Sequence, residues 1–152
     1  MGMTDNDWMQ LAFEQALVAQ AEGEVPVGAV LVSSDNRLIS SGFNHMIHLH
    51  DPTAHAEIMA IRAAGVEMHN YRLEDTTLYV TLEPCPMCAS AIVQARVKRL
   101  VFATRNLKMG AAGSVCDVFH PDIANHAVHI DEGVLKEPCM QLLKDFFKAK
   151  RD

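Results

Sequence analysis

The order of apolar segments along the chain restricts the fold more than any other feature. Two of these segments, 25–32 and 37–43, flank a polar turn at 33–36 and predict a β-hairpin. After the hairpin, helical and strand-like segments alternate to the end of the chain. A hairpin followed by such alternation indicates a mixed sheet with helices on both faces, because parallel strands are joined by helical crossovers. We therefore expect an α/β fold of three α/β/α layers around a five-stranded mixed sheet.

The predicted elements follow from the spacing of apolar residues and from the turn signals between them. Helical spacing predicts four helices, over 5–22, 54–65, 85–95 and 134–149. Runs of β-branched and aromatic residues predict three further strands, over 77–82, 99–104 and 127–130. Thr53 is placed to cap the second helix, and Gly65 is placed to end it. The segments 45–53 and 105–126 show no such spacing, and we expect irregular structure there.

Composition indicates one globular domain. The 152 residues are 49% hydrophobic and 21% charged, as in ordinary soluble proteins. We interpret residues 1–152 as a single domain. The longest apolar runs fall far short of the ~20 residues that span a bilayer. The N-terminus is acidic and polar, unlike a secretion signal. These features predict a cytoplasmic protein with no membrane partner.

Two cysteines, Cys85 and Cys88, stand three residues apart, and a proline lies on each side of Cys85. They follow the predicted strand 77–82 and open the next helix, so both sulfur atoms project from one helix face. The partial positive charge of a helix N-terminus favours thiolates. Taken alone, the pair fits a metal site, a redox couple or two buried helix residues. The other cysteines, Cys116 and Cys139, have no ligand-like neighbours, and we expect both to be buried.

A histidine at the start of another predicted helix narrows these alternatives. His55 adds one imidazole to the two thiolates, and three such ligands with an open fourth position are typical of a catalytic zinc site. A closed structural site needs a fourth protein ligand, for which the rival candidates are His45, His48 and His50. Glu57 is placed to stand beside the metal without binding it and to transfer protons. The sequence therefore predicts catalytic zinc chemistry.

The order His-Ala-Glu, then Pro-Cys-Pro-Met-Cys, resembles the signature of zinc-dependent nucleobase deaminases. Longer segments resemble the bacterial tRNA-specific adenosine deaminases of the cytidine/deoxycytidylate deaminase superfamily, at 24–32, 50–65, 71–92, 110–118, 125–135 and 142–147. The resemblance implies a cytidine-deaminase-like fold, a homodimer, and a tRNA anticodon stem-loop as the partner. The implied reaction is hydrolytic deamination of adenosine to inosine at the wobble position, by zinc-activated water with a glutamate proton shuttle.

The resemblance also implies roles for individual residues. His55, Cys85 and Cys88 would bind one Zn²⁺ per subunit, and Glu57 would be the general acid and base. Asn44 would hold the substrate, although outside the family context it is a simple turn residue. Three apolar side chains, which outside the family context we would expect in the hydrophobic core, would line the base pocket: Val27, Ala54 and Leu82.

The chain departs from the family pattern in the loop that follows the strand predicted at 99–104. Asn106 stands where the family often carries an acidic residue, and Thr104 stands where a smaller residue is common. We expect Asn106 to lie beside the bound nucleotide and to change how its backbone is held.

A net charge of −6 argues against a general nucleic-acid binder, so contacts to RNA need a local basic patch. One group is predicted near the active-site end: Arg96, Lys98, Arg99, Arg105 and Lys108. A second group lies in the last helix, where it also fits an ordinary solvated face: Lys144, Lys148, Lys150 and Arg151.

Two other functions share parts of this pattern. A deaminase of a free base or nucleotide, of guanine or cytosine type, would use the same zinc and glutamate. A zinc-bearing RNA-binding module would use the metal without catalysis, but it has no need of the proton-transferring Glu57. The segment 110–118 and the last helix favour a tRNA substrate over a free base.

Overall fold

The computed structural model describes residues 2–151. Within them lie five helices, α1 (Asp5–Ala21), α2 (Met46–Leu49), α3 (Ala56–Met68), α4 (Pro86–Gln94) and α5 (Lys136–Arg151). There are five strands, β1 (Gly28–Val32), β2 (Leu38–Phe43), β3 (Thr77–Leu82), β4 (Arg99–Thr104) and β5 (His129–Glu132).

The strands form one mixed sheet in the order β2-β1-β3-β4-β5. Strand β1 is antiparallel to both β2 and β3, whereas β3, β4 and β5 are parallel. The parallel strands are joined by crossovers, of which α4 is the helical one between β3 and β4. The predicted α/β fold with a five-stranded mixed sheet is confirmed.

Helices cover both faces of the sheet. Alternate residues of β1 separate the two cores: Leu31 packs with α3 and α4, and Val30 packs with α1 and the first turns of α5. Gly42 of β2 lets α3 approach closely, because a Cβ at this position would lie 2.5 Å from the Ala56 carbonyl oxygen. The N-terminus of α3 is thus held against the sheet by backbone contact.

Two predictions about α3 are wrong. The Thr53 side chain does not cap the helix, since its hydroxyl bonds to Asp51 and the N-cap residue is His55. The helix also continues through Gly65 to Met68 and ends at His69, which adopts a left-handed conformation with φ 51°. A glycine weakens a helix by only about 1 kcal/mol, which packing offsets.

The segment predicted as a loop at 45–53 contains the short helix α2. The carboxylate of Glu24 accepts hydrogen bonds from the amides of Ile47 and His48, at 3.2 and 3.0 Å. These amides belong to the first turn of α2, so a side chain from another segment caps this helix.

Strand β5 also begins two residues later than predicted.

The first basic group does not gather at one end of the sheet, and the prediction that placed it near the active-site end is wrong. Arg99 begins β4 and forms ion pairs with Asp5 and Asp131, at 2.8 and 2.9 Å. Tyr79 also donates to Asp5 at 2.6 Å, so this network ties α1 to the sheet. Of that group, Arg105 and Lys108 follow the carboxyl end of β4, whereas the other three residues lie at or before its start. The six-residue strand separates its two ends by ~17 Å, so the group is divided between them.

Among residues 2–151, none of the helices has the length and apolarity needed to cross a membrane.

Candidate active site

The predicted metal ligands lie at the N-termini of two neighbouring helices. His55 is the N-cap residue of α3, and Cys85 is the N-cap residue of α4. Cys88 lies in the first turn of α4 with its side chain buried. Pro86 opens α4, where the missing amide costs no hydrogen bond. The fold therefore brings together three residues that are up to 33 positions apart in sequence.

The three side chains point at one another. His55 Nδ1 lies 3.7 Å from Cys85 Sγ, and the ligand atoms of the group all lie within 4.8 Å of one another. A hydrogen bond from Cys88, supported by His55, lowers the pKa of Cys85 to about 4. The same bond to Cys85 holds the pKa of Cys88 far above its ordinary value. Contact with Cys85 raises the pKa of His55. The lowered pKa of Cys85 favours its thiolate, the form in which a cysteine binds metals.

This donor set fits zinc. Bonds of roughly 2.0 Å to nitrogen and 2.3 Å to sulfur place those atoms about 3.6 Å apart in a tetrahedral site, close to the observed 3.7 Å. One nitrogen and two sulfurs are also the ligand types that zinc prefers. Of the proposed fourth ligands, His45 and His48 lie in a separate group with Glu22. The geometry favours three protein ligands and an open position.

Glu57 lies in the first turn of α3 and is 4% exposed. Burial raises the pKa of Glu57 to about 7, and the charge on Cys85 acts in the same direction. Glu57 lines the same cavity as His55 and Cys85. A carboxyl group whose pKa lies near neutral pH and that lies beside the ligand group is suited to accept and return protons.

A cavity of about 1340 Å³ opens above these residues. Four of the five predicted substrate-contacting residues line it: Asn44, Val27, Leu82 and Asn106. Ala54 does not, since it is fully buried and its carbonyl accepts a hydrogen bond from the amide of His45. The sequence analysis missed Val25 and Met46, which complete the apolar wall beside Val27.

Asn44 uses both ends of its carboxamide in the fold. Its oxygen accepts from the amide of Ala56 at 2.9 Å, and its nitrogen donates to the carbonyl of Val25 at 3.0 Å. Because Ala56 is the first residue of α3, Asn44 supplies the cap that was predicted for Thr53. Asn44 therefore joins the cavity wall to the helix that carries His55 and Glu57.

Glu83 is a residue of the site that the sequence analysis missed. It directly follows β3, is 1% exposed, and receives hydrogen bonds from the amides of Asn106, Ala112 and Ser114, at 3.1, 2.9 and 3.1 Å. The hydroxyl of Ser114 donates to the same carboxylate. Burial acts to raise the pKa of Glu83, but these donors outweigh it and lower the pKa. Glu83 thus fixes the loop that follows β4.

Basic side chains line the outer part of the cavity. Besides Arg105, five belong to α5 or to the loop after β4: Lys108, Lys136, Lys144, Lys148 and Arg151. Arg105 also lines the cavity but is paired with Glu132 at 2.9 Å. Lys150 lies over the ring of Phe146, 5.5 Å from its centre. A positive rim around an apolar pocket suits an anionic substrate that inserts one apolar group.

The two cysteines outside the ligand group differ in burial. Cys139 is buried, as predicted, and burial raises its pKa to about 12. The prediction for Cys116 is wrong, because this residue is exposed. It lies in the irregular segment after β4, where backbone hydrogen bonds to Gly110 and Gly113 hold the chain and the side chain points outward.

Comparison with known proteins agrees with this geometry. Residues 3–104 match the cytidine and deoxycytidylate deaminase zinc-binding region. The chain is 49% identical over 148 residues to the tRNA-specific adenosine deaminase of Haemophilus influenzae, an alignment that covers 97% of this chain and 86% of the relative.

Two solved structures share the fold. A tRNA:A34 deaminase that carries out A-to-I editing at the wobble position of transfer RNA superposes with a TM-score of 0.87 at 41% identity, over 90% of this chain and 98% of that one. The guanine deaminase of Nitrosomonas europaea superposes with a TM-score of 0.81 at 21% identity, over 96% of this chain and 85% of that one. The second match speaks for the fold alone. With its zinc-type ligand group, its adjacent glutamate and this degree of identity, the chain belongs to the tRNA-specific adenosine deaminases of the cytidine and deoxycytidylate deaminase family.

Proposed function

We propose that this protein converts adenosine to inosine at the wobble position of a tRNA anticodon loop. The observation that carries the proposal is the group of His55, Cys85 and Cys88 beside Glu57, at the base of a cavity with a basic rim. We take residues 1–152 to be one deaminase domain, because all five strands share one sheet. A cytoplasmic location is part of the proposal.

We infer that His55, Cys85 and Cys88 hold one Zn²⁺ per subunit. When bound, the metal would supply a Lewis acid that lowers the pKa of a water molecule toward 7. Glu57 would take one proton from the attacking water and deliver it to N1 of adenine as the water oxygen bonds to C6. It would then move the second proton from the new C6 hydroxyl to the amine, so that the C6–N bond breaks, ammonia leaves and the C6 carbonyl of inosine remains. Its position beside the ligands and its raised pKa suit this exchange.

Different residues of the cavity wall would bind different parts of the nucleotide. Val27 and Leu82 are apolar and suit the faces of an adenine ring. Asn44 has one remaining lone pair and one remaining N–H with which to bind the base or the ribose. Asn106 also lines the cavity, from the loop after β4. We propose that these residues hold a base turned out of the anticodon loop.

The anticodon stem-loop would lie along the basic side chains of α5 and Lys108. Phosphate contacts of this kind supply affinity, whereas the splayed bases supply sequence choice.

We also propose a homodimer. Leu107, Met109 and Val115 are exposed near the cavity rim, and a second copy would cover such an apolar surface. Light scattering that reports a monomer at micromolar concentration contradicts the dimer.

The function is tested by mass analysis of total tRNA after incubation with the protein. We expect adenosine-to-inosine conversion at position 34, seen as a gain of about one mass unit in the anticodon fragment. Free adenosine, cytidine and guanine should remain unchanged. Turnover of a free base with no change in tRNA contradicts the proposal and favours a small-molecule deaminase.

The metal site is tested by elemental analysis. We expect about one zinc per chain, and we expect Cys88→Ala to lose both the zinc and the activity, because two ligands do not retain the metal. Cys139→Ala is the matched control, since this buried cysteine lies away from the site. Purified protein without zinc, or full activity in Cys88→Ala, contradicts the assignment.

A further inference from the structure

A second group of metal-ligating side chains lies outside the catalytic group. Glu22, His45 and His48 offer a carboxylate oxygen and two imidazole nitrogens, all within 4.8 Å of one another. Within residues 2–151, this and the catalytic group are the two sets of three such side chains. We propose that Glu22, His45 and His48 bind a divalent transition-metal ion of the Zn²⁺ class, separate from the catalytic zinc.

The fold brings these ligands together at the junction of two helices. Glu22 is the C-cap residue of α1, and His45 is the N-cap residue of α2. His48 follows three positions later, so both imidazoles lie on one side of α2. The His45 side chain does not cap its own helix. Its ring instead lies between two others, 4.9 Å from the centre of Phe43 and 5.4 Å from that of His48.

The spacing of the ligand atoms suits a small divalent ion. His45 Nε2 lies 3.2 Å from a carboxylate oxygen of Glu22. Zinc bonds of roughly 2.0–2.1 Å place a nitrogen and an oxygen about 3.3 Å apart in a tetrahedral site. An ion can therefore bind between His45 Nε2 and the Glu22 carboxylate with little movement of either side chain.

A buried carboxylate orients the second imidazole. Glu24 is 1% exposed, and its Oε2 lies 3.0 Å from His48 Nδ1. The Glu24 carboxylate also accepts hydrogen bonds from the amides of Ile47 and His48, at 3.2 and 3.0 Å, which fix its position. With Nδ1–H donating to this carboxylate, the lone pair of His48 lies on Nε2. Carboxylate, imidazole and metal in this order recur in protein metal sites.

The group is adjacent to the catalytic cavity without lining it. Asn44 and Met46, which flank His45 in sequence, both line the cavity. An ion bound by Glu22, His45 and His48 would tie the end of α1 to this part of the rim. The competing interpretation is two ordinary contacts without a metal, one between Glu22 and His45 and one between Glu24 and His48.

The experiment uses tag-free protein whose catalytic site is already loaded with zinc. Equilibrium dialysis against Zn²⁺ should show a second equivalent, and added Co²⁺ should give d–d absorption without thiolate-to-cobalt charge transfer. Hydrogen exchange at residues 44–50 should slow when the second equivalent binds. Saturation at one equivalent, or Co²⁺ bands with thiolate charge transfer alone, overturns the proposal.

Variants separate this site from other histidines. His45→Ala and His48→Ala should each lose the second equivalent and keep the first, and Glu22→Gln should weaken the second while preserving the shape of the side chain. His50→Asn is the matched control, because asparagine tolerates the left-handed conformation of residue 50 (φ 51°), and it should keep both equivalents. Retention of the second equivalent in both histidine variants overturns the proposal.

Discussion

Two buried glutamates that line the candidate site are in opposite electrostatic states. Glu57 is 4% exposed and Glu83 is 1% exposed, so both have lost nearly all contact with water. The pKa of Glu57 is raised to about 7 by burial, whereas the pKa of Glu83 is lowered despite its burial. The difference lies in the number of donors, since Glu83 receives three backbone amides and a hydroxyl.

This comparison indicates how one residue type serves two purposes in one site. A carboxylate surrounded by fixed donors stays charged and holds a loop in place. A carboxyl group with few donors and a raised pKa gains and loses protons near neutral pH, as a general acid and base must. Glu57 is therefore assigned to the chemistry, and Glu83 to the position of the loop after β4.

The largest expected effect is that of Glu57→Ala. General acid–base catalysis contributes roughly 10²–10⁴ in rate, and Glu57 would also position the attacking water. We expect the loss of deamination rate to lie at or above that range. Zinc content and hairpin affinity should change little, because Glu57 belongs to neither the ligand group nor the basic rim. Single-turnover kinetics on an anticodon hairpin provide the measurement. A variant that retains a tenth of the wild-type rate contradicts the role.

A smaller and different effect is expected from Glu83→Gln. Glutamine carries one acceptor oxygen and turns an N–H₂ group toward the donors that Glu83 satisfies. Hydrogen bonds to a buried charge are worth about 1.5–3 kcal/mol, so we expect the free energy of unfolding to fall by about 3 kcal/mol. The KM for the hairpin should rise more than kcat falls, with zinc retained. Urea denaturation and steady-state kinetics test both expectations.

Ser114→Ala is the matched control for Glu83, because it removes one donor and leaves the three amides. We expect a loss of about 1 kcal/mol. The pH provides a second check. Because the folded-state pKa of Glu83 is lowered, its contribution is fully present above the ordinary value of 4.5 and is lost as the pH falls through the folded-state value. The gap between wild type and Glu83→Gln should therefore narrow below pH 4.5. A gap that is no larger than that of Ser114→Ala, or that is independent of pH, counts against the assignment.

The parts of the site that the sequence predicted are those set by local spacing. Cys85 and Cys88 share a helix face because they are three residues apart, and His55 and Glu57 open a helix that periodicity alone predicts. Since helix N-termini at the carboxyl edge of a sheet converge, the group of three ligands followed from two helices that were predicted in the right places, although the cap and the end of α3 were not.

The parts that were missed depend on contacts between distant segments. Asn44 caps α3 from 12 residues away, and Glu24 caps α2 from 23 residues away, so neither cap has a local signal. In the sequence, Glu83 stands beside the cysteine motif and shows no sign of a separate role. Its role depends on the loop after β4, which folds back so that the amide of Ala112 donates a hydrogen bond to its carboxylate. Arg99 looked like part of a basic patch because sequence proximity to Arg105 conceals the length of the strand between them.

The smallest expected effect concerns Asn106, whose backbone amide binds Glu83 and whose side chain faces the cavity. Its side-chain oxygen accepts hydrogen bonds from the amides of Lys108 and Met109, at 3.3 and 3.1 Å. The oxygen is therefore engaged in the turn, and the N–H₂ group points away from those amides. An aspartate here would keep one oxygen for the turn and leave the other to accept a hydrogen bond from a ribose 2′-OH.

We therefore predict that this protein discriminates less against deoxyadenosine at the target position than its Asn106→Asp variant does. The physical reason is that an amide N–H₂ group cannot accept a hydrogen bond from the 2′-OH, the group that distinguishes RNA from DNA. The measurement is the ratio of deamination rates on matched hairpins that carry adenosine or deoxyadenosine at the target, taken for both proteins. Asn106→Ala is the control, because it removes the side-chain contacts to the turn without adding an acceptor. If the ratios of wild type and Asn106→Asp agree within about twofold, a difference of roughly 0.4 kcal/mol, Asn106 acts only as a turn residue and the prediction is wrong.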